Sequence, residues 1–214
     1  DAICVIPSAG VSLAPAGLVV GALYYIYAYM NAGSLTLEAS TTSHGTDTTT
    51  GIEIKIGDPT RTLVAMARPT TGAAWTHRGT QRLVASWFNQ RPLQLQGVLG
   101  ADTALNVGSL VGISASFDTE FLTWSANASQ ATFTGTCITG TGGSDAFFSI
   151  AVDGAAGNPL IQVTLASAAQ RIPVAAAINT TLSEGYHFVT MFGQTTGAPA
   201  YARASSILNI TVLG

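Results

Sequence analysis

Charge is what this chain has least of. Asp, Glu, Lys and Arg make up 9% of its 214 residues, where an ordinary globular domain carries roughly a quarter. Lys55 is the single lysine. With a mean hydropathy of +0.38, the surface must be built from Thr, Ser, Gly, Asn and Gln or be covered by other chains, which favours a protein of stable assemblies. The stretch Pro59 to Ala101 holds Arg61, Arg68, Arg78, Arg82 and Arg91 with no acid, between flanks that are both net acidic. The pI of 5.4 and the lack of any recognition motif exclude a nucleic-acid partner, so the arginines are expected to pair with acidic neighbours across subunits.

Metal-ligating and nucleophilic side chains are equally scarce. Cys4 and Cys137 allow at most one intramolecular bridge and belong to no CxxC or Cys/His cluster. His44, His77 and His187 have no partner at metal-ligand spacing. GxSxG and HExxH are absent, and Gly140-Thr-Gly142-Gly143 lacks the lysine and helix of a phosphate loop and reads as a turn. No metal, cofactor or catalytic residue is therefore expected. Asp118 and Glu120, two apart on one strand face, are the best carboxylate pair for a glycan-cleaving enzyme, but such pairs usually lie on a solvated face. No charge occurs from Ala2 to Leu37, yet Pro7, Pro15, repeated Gly and Ser and the lack of flanking Lys or Arg exclude membrane insertion as a helix. Without a basic segment after Asp1, no secretory signal is expected in this sequence either.

What the chain does have is period-two patterning. In LYYIYAYM, Tyr25, Tyr27 and Tyr29 fall on one side and Tyr24, Ile26, Ala28 and Met30 on the other, so both faces are apolar. Asn31-Ala32-Gly33 supplies a turn and LTLEAS returns as a second strand. GIEIKIG and TRTLVAMAR follow, the latter placing Leu63, Ala65 and Ala67 opposite Thr62, Val64 and Met66. RLVASWFNQR is a further strand ending at Arg91-Pro92. Beyond Asn106, SLVGISASF, TEFLTWSA, ATFTGTCITG, AFFSIAVDG, LIQVTLAS, RIPVAAAINTTL, EGYHFVTMFGQ and SILNITVLG are short strands separated by Gly-rich turns. They predict an all-β chain: a hairpin-rich β module over 1–95, then a jelly-roll-like β-sandwich over 96–214.

Aromatics beside polar residues on loops suit sugar faces and hydroxyls. Trp75 and His77 in TTGAAWTHRGT, and Tyr201 and Arg203 in GAPAYARASS, are the candidates for glycan or receptor contact; contact with a neighbouring subunit is their competing role. Trp87 and Trp124 lie inside strand patterns and are expected in the core.

The segment from Leu23 to Arg68 followed by TQRLVASWFNQR resembles a module of tailed-phage virion appendage proteins, among them tail fibres, spikes and head-decoration proteins. The ending LSEGYHFVTMFGQTTGAPAYARASSILNITVLG is similar to the terminal β-domain of such proteins. The resemblance covers about two thirds of the chain and rests on strands and turns. It implies an extracellular virion component, homo-oligomeric and preferably trimeric, joined to other virion proteins and presenting its terminal domain to a host-surface polysaccharide. A capsid or tail decoration protein with no receptor is the alternative. The resemblance carries over no binding residue, and under it Tyr27, Thr49, Gly51, Arg61 and Trp87 are structural.

Overall fold

A computed structural model describes residues 9–125, 127–157 and 159–213. The chain is all-β, with one short 3-10 helix, Ala115–Phe117, among the described residues. It packs as two units: residues up to His77 together with Leu83–Arg91, and Arg78–Arg82 together with Pro92–Leu213. No helix among the described residues is long and apolar enough to cross a membrane.

The first unit is a sheet in the order Ser34–Ser40, Tyr24–Asn31, Asp58–Ala67, Glu53–Lys55, His44–Thr46, with Val84–Ser86 also paired to Asp58–Ala67. The expected hairpin forms with a two-residue turn, Ala32 at φ +47° and Gly33 at +85°, both left-handed as the twist of paired strands prefers. The strict alternation expected of TRTLVAMAR does not hold. A bulge shifts the register so that Tyr27 faces Leu63 while Ile26 faces Ala65, which leaves Val64 as the extra residue. Leu63 and Met66, rather than Leu63 and Ala65, therefore share the face of Tyr25 and Tyr27. On the opposite face Tyr24, Ile26 and Ala67 pack beneath Leu13, Leu18 and Ala22, and the Tyr24 hydroxyl accepts from the Val19 N–H at 3.0 Å.

The tyrosine face also carries a charge network. Glu38 accepts from Lys55 Nζ and from Arg61 Nε at 2.7 Å, and the Arg61 guanidinium lies 3.8 Å from the Tyr29 ring centroid. Burial works against the Glu38 charge, but the hydrogen bonds from Lys55 and Arg61 outweigh it and hold the carboxyl below the usual range. A carboxylate lowered on folding binds fewer protons folded than unfolded. Its contribution is complete above the ordinary value of about 4.3 and is lost as pH falls through the lower folded value. Thermal midpoints from pH 7 to 3 are expected to fall most steeply below about pH 4.3, and less steeply in Glu38→Gln. An unchanged slope in the variant would remove Glu38 from the acid response.

The second unit is a two-sheet sandwich. One sheet runs Pro92–Val98, Ile207–Leu213, Asn127–Thr139, Ala200–Ala202, Thr103–Ala104, with Arg171–Leu182 paired to Asn127–Thr139. The other is built around Gly185–Thr196, flanked by Ser144–Val152 and Thr119–Thr123, with Ile161–Leu165 outside Ser144–Val152. Alternate residues turn inward, and Phe117, Phe121, Phe133, Phe148, Leu165, Met191 and Leu208 make the core. Phe133 sits between Phe117, edge-on at 5.7 Å, and Phe148, stacked at 6.2 Å. Cys137 is a free, buried thiol pushed up to about 11 by that burial. Cys4 lies outside the described residues.

Two expected strands are shorter than their patterns. In SLVGISASF only Val111–Gly112 pairs, because Ser114 Oγ accepts from the Ser116 N–H and caps the 3-10 turn that follows. In RLVASWFNQR the expected strand is divided: Arg82 belongs to Gln81–Arg82, paired with Thr119–Thr123, and only Val84–Ser86 joins the first sheet, ending where Ser86 Oγ accepts from the Asn89 N–H at 3.1 Å. Trp87 is consequently half-buried past the strand, 5.6 Å from the His44 ring, and Phe88 is 71% exposed. Trp124 is buried as expected.

Candidate functional site

The four side chains singled out from the sequence do not converge. Trp75 belongs to the first unit, where its indole N–H donates to the Leu13 carbonyl at 2.8 Å. Its ring helps line a cavity of about 360 Å³ with Leu13, Ile26, Leu37, Val64 and Val84. Such a wall holds apolar matter and has little to offer a hydroxyl. His77 is exposed on the short strand His77–Arg78.

Tyr201 and Arg203 do converge. Ala200–Ala202 pairs with Asn127–Thr139 on one side and Thr103–Ala104 on the other. Ala200 and Ala202 are buried, so Tyr201 between them must face outward, in register with Ile138. The chain then turns. The Arg203 carbonyl accepts from the Ser206 N–H at 3.2 Å and the Ser206 hydroxyl at 2.7 Å, and Ser205 adopts φ +70°. That turn brings Arg203 Nη1 onto Asp102 Oδ2, while Asp102 Oδ1 accepts the Ala204 N–H at 2.8 Å. Asp102, Ile138, Thr139, Gly140, Tyr201 and Arg203 line a cavity of about 270 Å³.

Its chemistry is that of a small polar recognition site. An aromatic face lies beside a guanidinium that Asp102 orients but does not use up, since Arg has five N–H donors. Arg203 and Asp102 keep about a third of their side chains exposed, 33% and 37%. Asp102 was not singled out from the sequence. The one signal it offers is its place as the first acid after the acid-free stretch ending at Ala101.

Other polar groups are engaged in holding the fold. Glu120 accepts from the Tyr186 hydroxyl at 2.6 Å and from Gln81 Nε2. Asp118 is exposed and ends the 3-10 turn, its N–H donating to Ala115 O. His187 is buried, with Nδ1 2.7 Å from Asp153 Oδ2 and Nε2 3.0 Å from the Ser183 carbonyl. His44 Nδ1 meets Glu53, whose carboxyl burial alone would raise; hydrogen bonds from Thr46 and His44 bring it below the usual range. No group of three or more His, Cys, Asp or Glu among the described residues is placed to hold a metal.

No family model matches the chain. No curated protein matches it in sequence. Solved structures similar to it include an Eiger TNF from S. frugiperda, 6% identical over 58% of this chain and 94% of that one, with a TM-score of 0.35. A family 35 carbohydrate-binding module from Clostridium thermocellum is 12% identical over 56% of this chain and 97% of its own, at 0.28. A structure of infectious bursal disease virus, Gx strain, is 13% identical at 0.32; this chain is covered over 95% of its length and spans 54% of the viral one. At these scores the likenesses carry no inference about function.

Proposed function

We propose that this chain is a non-enzymatic virion appendage protein that assembles as a homo-oligomer and holds a host-surface saccharide between Tyr201 and the Arg203–Asp102 pair. The observation that carries the binding role is the convergence of these three side chains on one cavity of the sandwich. A pyranose presents an apolar C–H face to an aromatic ring and hydroxyls to charged groups, and the site supplies both. The phage assignment rests on the resemblance of the hairpin module and the chain ending. The oligomer is supported by the low charge and by exposed Met30, Ile52, Ile56 and Phe88 in the first unit, since large apolar side chains in such number suit a covered surface.

A glycan array with the purified chain tests the reading, followed by titration of the best binder. Tyr201→Ala is expected to weaken binding about ten-fold, ~1.4 kcal/mol, and Arg203→Ala at least as much because it removes the cavity's only cation and with it the charge-assisted donors to saccharide hydroxyls. No array binding, or affinity unchanged from the parent in both variants, would overturn the saccharide role and leave a decoration protein.

A further inference from the structure

On the other sheet of the sandwich, the strands Ile161–Leu165, Ser144–Val152 and Gly185–Thr196 run in register, and their outward residues form two rows. Asp145 lies between Thr164 and Thr196. Two residues along, Phe147 lies between Gln162 and Gln194, and Asn106 pairs beyond Gln194. Ala146 and Phe148, which alternate with them, are buried in the core, so Asp145 and Phe147 face away from it. The rows thus present one half-buried aromatic ring flanked by amides, and hydroxyls around a single carboxylate.

An open cavity of about 360 Å³ lies at one end of this surface, lined by Gly143, Ser144, Asp145, Thr164, Thr196 and Gly197. Gly197, at φ +86°, approaches the Gly143 carbonyl so closely that a Cβ there would lie 3.0 Å from it, and a side chain would crowd the opening. Ser144, paired with the core residue Leu165, turns its side chain inward and lends the cavity only its wall. Asp145 Oδ1 is held by the Thr164 hydroxyl at 2.7 Å.

We infer that this face is a second saccharide-binding surface, fitted to a neutral polyhydroxylated chain. Amides match vicinal hydroxyls because each carries both a donor and an acceptor. Phe147 offers a stacking face, and Asp145 with Thr164 receives a hydroxyl at the cavity. An anionic chain is disfavoured, because Asp145 is the only charge in the rows and the cavity. The surface shares its ligand class with the Tyr201 cavity and none of its residues, so it extends the saccharide reading without depending on that cavity.

Amide-resolved NMR titration of the full chain with maltohexaose, chitohexaose and mannohexaose tests it. At least one probe is expected to shift the amides of residues 144–147, 162–164 and 194–197 together, and Phe147→Ala to weaken that binding at least five-fold. Shifts confined to 138–140 and 201–203 would overturn the second surface and keep the first. Shifts confined to the Phe147 rows would do the reverse, and none in either set would overturn both. Gln194→Ala, which removes an amide without touching the core, is expected to weaken binding two- to five-fold; an unchanged affinity in both variants also refutes the surface.

Discussion

Replacing Phe133 by alanine is expected to destabilise the sandwich by about 3–5 kcal/mol, lowering its thermal midpoint by roughly 10–20 °C. The ring is 1% exposed and bridges the core between Phe117 and Phe148. Its loss removes transfer free energy and leaves a cavity, and the neighbourhood is poorly placed to collapse into it. The ring lies over Gly135, where a Cβ would come within 2.7 Å of Phe133 Cζ, so the residue beneath has no side chain to fill the gap. The cost is therefore expected in the upper part of the range. Val107, 60% exposed in the second unit, provides the contrast: Val107→Ala is expected to stay within about 0.5 kcal/mol of the parent. Urea titrations followed separately by near- and far-ultraviolet circular dichroism would measure both, and a Phe133→Ala loss below 1 kcal/mol would mean that the core repacks around the missing ring.

The all-β class was legible because alternation is a local property. Tyr24 to Met30 and the AFFSIAV of Ala146 to Val152 were each readable as a single strand, and Ala32-Gly33 marks its turn without reference to anything distant. The misread features depend on partners. Nothing in TRTLVAMAR announces the bulge at Val64, which exists only because Tyr27 takes Leu63 as its neighbour. The strands ending at Ser86 and Gly112 were cut short by serine side chains bonding to backbone two or three residues on, a competition that β-branched composition hides. The candidate site divides the same way. Tyr201 and Arg203 were visible as an aromatic and a cation on one loop, whereas Asp102 reaches Arg203 across 101 positions of sequence. Trp75 had the composition of a ligand contact, and only the fold shows its indole N–H committed to Leu13, 62 positions away.

The turn that joins the two sheets beside both proposed binding surfaces gives the other large effect. Gly142→Ala is expected to cost about 2–5 kcal/mol from two separate penalties. Gly142 sits at φ +76°, where an L side chain costs about 1–2 kcal/mol. A Cβ there would also lie 2.7 Å from the Ser167 carbonyl carbon and 2.8 Å from its Cα. Backbone cannot rotate away as a side-chain tip can, so about 1–3 kcal/mol of overpacking follows. Its neighbours separate the terms. Gly143 has φ +72° and nothing within 4 Å of a Cβ, so Gly143→Ala is expected to cost about 1–2 kcal/mol. Gly140 has neither constraint, and Gly140→Ala is expected to be near neutral in stability. The displacement should also reach the binding surfaces. The Gly142 N–H donates to Thr139 Oγ1, which in turn donates to the Pro199 carbonyl, and the Gly143 N–H is held by the Leu165 carbonyl at 2.7 Å. A wedge at Gly142 must move Gly140 on one side and Ser144 on the other, so saccharide-induced shifts at the Tyr201 cavity and at the Phe147 rows should weaken together. Three alanine variants of equal stability would show that the turn is not wedged against Ser167 and that the two surfaces are not tied through it.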